Sequence, residues 1–351
     1  MPQIVQEATI EYLREMNTIP PYEKWGQWKN LRNQNKTELA EHLQVQADEI
    51  SIVRNATEAL STIIFGLPLK KGDEIIVAEH DYPHVLLAFK QRKEREGIKI
   101  KKLNLNLTTA TDTEIVNAYQ NALSKDTKLV LLTHITHREG RILPIEKIST
   151  AIKSENVEIV LDAAHSFAQI LFSIPSLGVD YLTTSLHKWL NAPHGTGLLY
   201  VPSDKMSKIY GLHSSEPRHL DSTEKYEYQG TRAFHQEIGI SAALKFQDAI
   251  GWDRKYKRLQ ELKHYWTNAV KDVNNIRFGT PLLDQHSCAI TSFCFTESKK
   301  KALFQLKEKY GIHAKSVNIN KQSHIRITPN IFTLEKDLDL LIDAIHQIAK
   351  T

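Results

Sequence analysis

The stretch that decides the fold is residues 158–201, EIVLDAAHSFAQILFSIPSLGVDYLTTSLHKWLNAPHGTGLLYV. It holds three short apolar runs, EIVLD, DYLTTS and GLLYV. They are too brief for helices and too continuous for strands with one wet face, so they read as strands covered on both sides. The pattern recurs upstream in DEIIVAEH (73–80), KIKKLNL (99–105) and KLVLLTHI (128–135), with helical stretches such as VLLAFKQRKEREG (85–97) and EKISTAIKSEN (146–156) between them. Strand–helix alternation of this kind predicts an α/β protein with a buried, mostly parallel central sheet and helices on both faces.

The flanks are organised differently. Ile4, Val5, Ala8, Tyr12 and Leu13 recur at helical spacing, and Pro20-Pro21 closes that helix. A second helix is expected over TELAEHLQV (37–45), with Thr37 as its N-cap. A long helical stretch, 240–270, leads away from the sheet and is interrupted at Gly251-Trp252. Beyond it come a strand (SCAITSFCF, 287–295), a helix (KKALFQLKEKYG, 300–311), strands at KSVNI (315–319) and HIRITP (324–329), and a closing helix striped by Leu338, Leu341, Ile342 and Ile345. Three parts are expected: an N-terminal helical segment 1–45, a large domain 46–240 and a smaller C-terminal α/β domain 241–351.

Composition removes several classes of function. With 351 residues, 41% hydrophobic and 25% charged, the chain can bury a substantial core without staples. A net charge of +4 does not call for nucleic acid, and the basic segments KQRKERE (90–96) and SKKKALF (298–304) read as solvated helix faces. Two cysteines, Cys288 and Cys294, make no disulfide framework and point to a reducing compartment. The start, MPQIVQEATIEYLREM, has no apolar signal-peptide core, and no run approaches the ~20 apolar residues of a membrane helix. A cytoplasmic protein without membrane or nucleic-acid partners is expected.

Open parallel sheets bind ligands at the carboxyl ends of their strands. There the chain carries His80-Asp81-Tyr82, Thr133-His134 with His137 beyond, Asp162-Ala163-Ala164-His165, and Ser185-Leu186-His187-Lys188. Asp162 after a buried strand is costly unless a cation faces it, and Lys188 ends another strand. Pyridoxal phosphate needs both groups: a lysine for the Schiff base and a carboxylate for the pyridine nitrogen. Arg54-Asn55-Ala56-Thr57-Glu58 opens an apolar helix, and helix N-termini bind phosphate; Thr57 and His187 could add donors. Each residue also has an ordinary reading: an ion-paired Lys188, Asp162 as an N-cap, Tyr82 packed in a turn before Pro83, Thr231 in a turn, Arg326 at a strand edge. A metal site built on His80/His84 or His134/His137 lacks the usual carboxylates, thiolates or HExxH pattern.

RNATEAL (54–60), LDAAHSFAQ (161–169), SLHKWLNAPHGTGLLYV (185–201), YQGTRAF (228–234) and HIRITPNIF (324–332) together resemble the ordered motifs of class V aminotransferases, within the fold-type I pyridoxal-phosphate enzymes. The wording is nearest to the isopenicillin-N-epimerase-like branch, and the resemblance runs from about residue 2 to the end. It implies Lys188 as Schiff-base lysine and proton shuttle, Asp162 at the pyridine nitrogen, and Tyr82 stacked on the ring. Thr57, Ser185 and His187 would bind phosphate, with the amides of Ala56 and Thr57. Thr231 would reach the phosphate of the other subunit in a homodimer, and Arg326 would clamp the substrate carboxylate. His165 falls where desulfurases carry a Gln near the ring hydroxyl, and His137, or its neighbour Thr136, where many relatives carry an Asn.

The chain also departs from the family. It begins at the family's first helix, which implies an upstream start or a more open pocket. Desulfurases pass sulfur to a Cys on a mobile loop, whereas Cys288 and Cys294 fall in an apolar strand pattern. The expected activity is therefore chemistry at the α- or β-carbon of an amino acid, epimerisation or C–S lysis ahead of general transamination. A cofactor-free pseudoenzyme or binding subunit is the alternative of another class.

Overall fold

The computed structural model describes residues 1–18, 20–153, 157–296 and 301–350. The chain forms two compact units. One comprises Met1–Asn104, Thr113–His134 and Pro144–Gly251; the other comprises Leu105–Asp112, Ile135–Leu143 and the chain from Trp252 onward.

In the first unit the elements follow one another as α1 (Gln3–Met16), α2 (Pro21–Leu43), β1 (Ile50–Val53), α3 (Ala56–Gly66), β2 (Glu74–Ala78), α4 (Pro83–Glu96), β3 (Lys99–Leu103), α5 (Asp112–Ala122), β4 (Thr127–Thr133), α6 (Ile145–Ile152), β5 (Glu158–Asp162), α7 (Ile174–Leu177), β6 (Tyr181–Ser185), β7 (Gly197–Tyr200), α8 (Glu224–Glu227) and α9 (His235–Ile250). The strands form one sheet in the order β1-β7-β6-β5-β4-β2-β3. From β3 to β6 every pairing is parallel, while β7 runs antiparallel to both β6 and β1. The four strands with polar tails, β2, β4, β5 and β6, are consecutive in this order. Register sets Thr133 beside Asp162 and Asp162 beside Thr183, so those tails emerge along one edge.

β5 and β6 are buried almost throughout, as two-sided strands must be. Leu60, Ile63 and Ile64 of α3 and Phe89 of α4 join Val77, Val160 and Tyr181 of the sheet in one apolar cluster. Arg92 of α4 corrects the solvated-face reading of KQRKERE: it is buried, donates to the carbonyls of Ile64 and Leu67, and pairs with Glu96. In the second basic segment, 298–300 lie outside the described residues, as do 154–156 of EKISTAIKSEN.

α2 also differs from expectation. It starts at Pro21, so Thr37 is no N-cap but an interior residue whose hydroxyl donates to the Asn33 carbonyl at 3.1 Å. The middle of α2 docks through polar groups. Arg32 donates to the Ile52 carbonyl at 2.8 Å and pairs with Glu227 and Glu237, each at 3.3 Å.

The second unit adds α10 (Trp252–Val270), β8 (Ile276–Phe278), β9 (Thr291–Phe295), α11 (Ala302–Tyr310), β10 (Lys315–Ile319), β11 (Gln322–Ile327) and α12 (Glu335–Lys350). Residue 240 lies inside α9, and the units part at Gly251, where α9 gives way to α10. An antiparallel sheet, β10-β11-β9-β8, carries a core of Leu262, Trp266, Phe293, Ile325, Leu341 and Ile345, with Trp266 edge-on to Phe293. SCAITSFCF is strand only from Thr291, and Cys288 sits in the bend before it. Among the described residues no helix is long and apolar enough to cross a membrane.

Candidate active site

Lys188 lies in the turn after β6, and the chain around it is pinned. Leu186 N–H donates to the Thr196 carbonyl at 3.0 Å, Ala192 N–H to Leu186 at 3.1 Å, and Asn191 adopts a left-handed φ of 64°. Lys188 Nζ stands 3.3 Å from His165 Nε2, and the indole Nε1 of Trp189 donates to His165 Nδ1, also at 3.3 Å.

Asp162 ends β5. Its carboxyl is buried and accepts from the Ala164 amide at 2.9 Å. That bond makes a local Asp turn rather than a helix cap, since no helix follows. Burial raises the Asp162 pKa, while the Lys188 charge and then the Ala164 amide pull against the rise. A cation placed beside it would complete the compensation that Lys188 begins.

A second buried carboxyl stands at the end of β2. Asp81 accepts from the Ala78 amide and the Thr133 hydroxyl, both at 2.7 Å. Its pKa is nevertheless pushed up to about 7, by burial first and with Asp162 contributing. His134, next along from Thr133, is pushed down to about 3 by burial, and its Nδ1 meets no hydrogen-bond partner among the described residues.

The phosphate end is built on α3. Asn55 caps it by accepting from the Glu58 amide at 2.9 Å. Ser185 Oγ accepts from the Ala56 amide at 3.0 Å, which ties strand end to helix start and leaves the hydroxyl proton to donate elsewhere. Thr57 is exposed at the helix's second position, where its amide has no intrahelical carbonyl to meet. Gly197, paired with both Val53 and Ser185, lets β7 approach this cap: a Cβ there would fall 2.5 Å from Asn55 Cα and 2.7 Å from its nitrogen. His187 places Nδ1 3.2 Å from the Thr196 carbonyl, an acceptor, so Nδ1 carries the proton. Burial lowers the His187 pKa; Nε2 would therefore meet a phosphate as a donor only after a second protonation that burial opposes.

Tyr82 stands at the start of α4, 39% exposed, with its ring 5.4 Å from that of His84. Thr231 is exposed on a loop tied to α3 through Gln229, which donates to Glu58, and Glu58 in turn pairs with Arg54 at 3.1 Å. In the second unit Arg326 and His137 are brought together: Arg326 Nη1 donates to the His137 carbonyl at 2.6 Å. Thr136 beside it is buried and accepts from the Arg141 amide at 3.1 Å. No cluster of three or more His, Cys, Asp or Glu able to hold a metal occurs among the described residues.

Sequence reasoning passed over three contributors. Asn55-x-x-Glu58 is a cap signature that the sequence carries openly. Trp189 and Gly197 had no local signal, because the role of each depends on an atom far along the chain.

The donor set suits pyridoxal phosphate: an amine, a buried carboxyl, and a hydroxyl beside the start of α3, where the Thr57 amide has no intrahelical carbonyl to meet. Comparison with known proteins bears on this. The family model for aminotransferase class-V matches residues 1–323. A "Probable cysteine desulfurase" of Pyrococcus abyssi is 26% identical over 271 residues, covering 72% of this chain; at 65% of its own length, the match spans just under two thirds of that relative. An isopenicillin N epimerase of Amycolatopsis lactamdurans is 22% identical over 332 residues, 89% of this chain and 83% of its own. Among solved structures, the cystine C–S lyase C-DES, in complex with its reaction product cysteine persulfide, matches with a TM-score of 0.88 at 21% identity, over 99% of this chain and 94% of that one. The shared architecture is the fold-type I transferase fold.

Proposed function

The chain belongs to the class V aminotransferase family, whose cofactor is pyridoxal phosphate, and on that premise we propose that it acts at the α- or β-carbon of an amino acid, by epimerisation or C–S lysis. The observation that carries the reading is the Lys188 amine facing His165 at 3.3 Å just past β6, the strand paired with β5, which ends in the buried Asp162 carboxyl.

Bound there, pyridoxal phosphate supplies an electrophilic carbonyl carbon and an electron-withdrawing ring. Lys188 Nζ is the amine that would hold the cofactor at that carbon, and it is the base that would take the α-proton of a bound substrate. Asp162 is the carboxylate that would face the ring nitrogen and keep it protonated. Ser185, Thr57 and the Thr57 amide bind phosphate, and His187 joins them when doubly protonated. The Ala56 amide supports them by holding Ser185. Tyr82 would support the cofactor ring, His165 and His137 would position polar groups of cofactor and substrate, and Arg326 would bind the substrate carboxylate through its planar fork. Thr231 serves the phosphate of a second copy in a homodimer, for which its exposed position is suited.

The cysteines favour lysis or epimerisation over a persulfide relay. Both are buried, and burial pushes the Cys288 thiol up to about 12 and raises that of Cys294. A sulfur acceptor needs an accessible thiolate. Their free thiols also fit the cytoplasm.

The test is a visible spectrum after adding pyridoxal phosphate, then borohydride reduction and peptide mass mapping. A yellow band that bleaches, with the adduct on Lys188, is expected. A colourless protein would overturn the reading in favour of a cofactor-free binding subunit. Exchange of the α-hydrogen in D₂O marks epimerisation, pyruvate with sulfide marks lysis, and a keto acid with aminated cofactor marks transamination.

A further inference from the structure

His165 is gripped at both ring nitrogens: Trp189 Nε1 lies 3.3 Å from Nδ1, and Lys188 Nζ lies 3.3 Å from Nε2. The two neighbours differ in one decisive respect. An indole N–H can only donate, whereas a lysine nitrogen donates as ammonium and accepts as amine. Nδ1 must therefore be the accepting nitrogen. A neutral imidazole that accepts at Nδ1 carries its proton on Nε2, directed at Lys188.

The other protonation states fail at one end or both. A proton on Nδ1 would set N–H against the indole N–H. A doubly protonated ring would repeat that clash and also oppose a lysine ammonium. With Nε2–H facing it, Lys188 completes the hydrogen bond only by offering a lone pair. Trp189 is 5% exposed, which holds its indole in place, and Gln169 donates to the His165 carbonyl at 2.5 Å, which fixes the main chain that carries the imidazole.

We propose that Trp189 is a positioning residue: its indole N–H holds His165 in the Nε2-protonated tautomer, which makes His165 a hydrogen-bond donor to the uncharged Lys188 amine and sets it against the ammonium form that the buried Asp162 carboxyl favours. The significance for catalysis rests on the reading of Lys188 as the cofactor-binding lysine, because the free amine is the nucleophilic form. The tautomer itself does not rest on that reading.

The experiment uses the cofactor-free chain, labelled with ¹⁵N, and long-range ¹⁵N–¹H correlation of the histidine rings at pH 8. H165Q identifies the His165 signals by their loss. The expected pattern in the unaltered chain is a protonated Nε2 and a bare Nδ1. In W189F it moves toward the Nδ1-protonated or averaged form. Competitive acetylation with acetic anhydride at neutral pH then reads Lys188, whose reactivity falls about threefold or more in W189F as the donor facing it is lost.

A protonated Nδ1 in the unaltered chain, or an unchanged pattern in W189F, overturns the proposal. Unchanged Lys188 reactivity overturns its second half. If W189F does not fold, replacing Trp189 by benzothienylalanine removes the N–H while keeping the bicyclic shape, and the same outcomes apply. Failure to take up pyridoxal phosphate would sink the proposed function while leaving these signals as they are.

Discussion

Asp81 and His134 should cancel one another in the pH dependence of stability, and removing either should expose the other. The Asp81 pKa is raised in the folded chain to about 7, so between its unfolded value and pH 7 the folded state holds the extra proton. Its contribution is full below the unfolded pKa and is lost as pH rises through the window. His134 is lowered to about 3, so between pH 3 and its unfolded value the unfolded state holds the extra proton, and its contribution is lost as pH falls. One proton corresponds to about 1.4 kcal/mol per pH unit. The opposed slopes overlap from about pH 4 to 6.5.

His134→Phe should therefore leave a cofactor-free chain that loses about 2.3 kcal/mol, relative to the unaltered chain, as pH rises from 4.5 to 6.5. Asp81→Asn should gain about the same over that interval. In that variant the Thr133 hydroxyl can turn to accept from the new amide. The double variant should again follow the unaltered chain. Urea unfolding at three pH values measures this; groups that do not interact with Asp81 or His134 drop out of the differences, while Asp162, whose charge raises the Asp81 pKa, adds a smaller change of its own in Asp81→Asn. Curves for both single variants running parallel to the unaltered chain would refute the reasoning. They would mean that water reaches these strand ends and that neither group is held away from its ordinary ionisation.

Replacing both Cys288 and Cys294 by Ala should leave turnover within about twofold once the chain is folded, with stability lower by about 1–2 kcal/mol from the lost packing; a tenfold fall in turnover would restore a sulfur-relay mechanism. Arg326→Lys should raise KM for a carboxylate-bearing substrate about tenfold to a hundredfold while kcat changes little, the worth of a lost charged hydrogen bond. Equal KM values in steady-state kinetics would remove Arg326 from substrate binding. Asn55→Ala should lower the urea-unfolding stability of the cofactor-free chain by about 1 kcal/mol and weaken cofactor binding, whereas Asn55→Asp should retain most of the stability.

Much of the sheet could be read in the chain because its strands are apolar on both faces and its helices are not. The four polar tails pointed to one edge for the same reason, since nothing in packing calls for Asp162 or Lys188 after such strands. The middle of α2 was illegible. It docks through Arg32, Asn35 and Lys36, whose partners are carbonyl, hydroxyl and carboxylate groups on other elements, so no apolar stripe marks it. Thr37 looked like a cap because the apolar spacing starts after it. Arg92 looked solvated because its carbonyl partners lie more than twenty residues away. At the site, residue types could be listed from sequence, but not the state in which each is held: that His187 spends its proton on Thr196, or that His165 stands between two nitrogens.

Gly197 has a consequence for how this chain can vary. It has no turn to make and no unusual backbone angle to support, so by local criteria alanine would serve a strand better. The demand comes from Asn55, 142 positions earlier, whose main chain fills the volume of the absent methyl. A library of substitutions across residues 197–200 should tolerate many apolar exchanges at Leu198 and Leu199 and almost none at their neighbour. Intolerance at this one position would record the distance between a strand and a helix cap, and a redesign that widened that gap would have to rebuild the cap before any side chain could be admitted there.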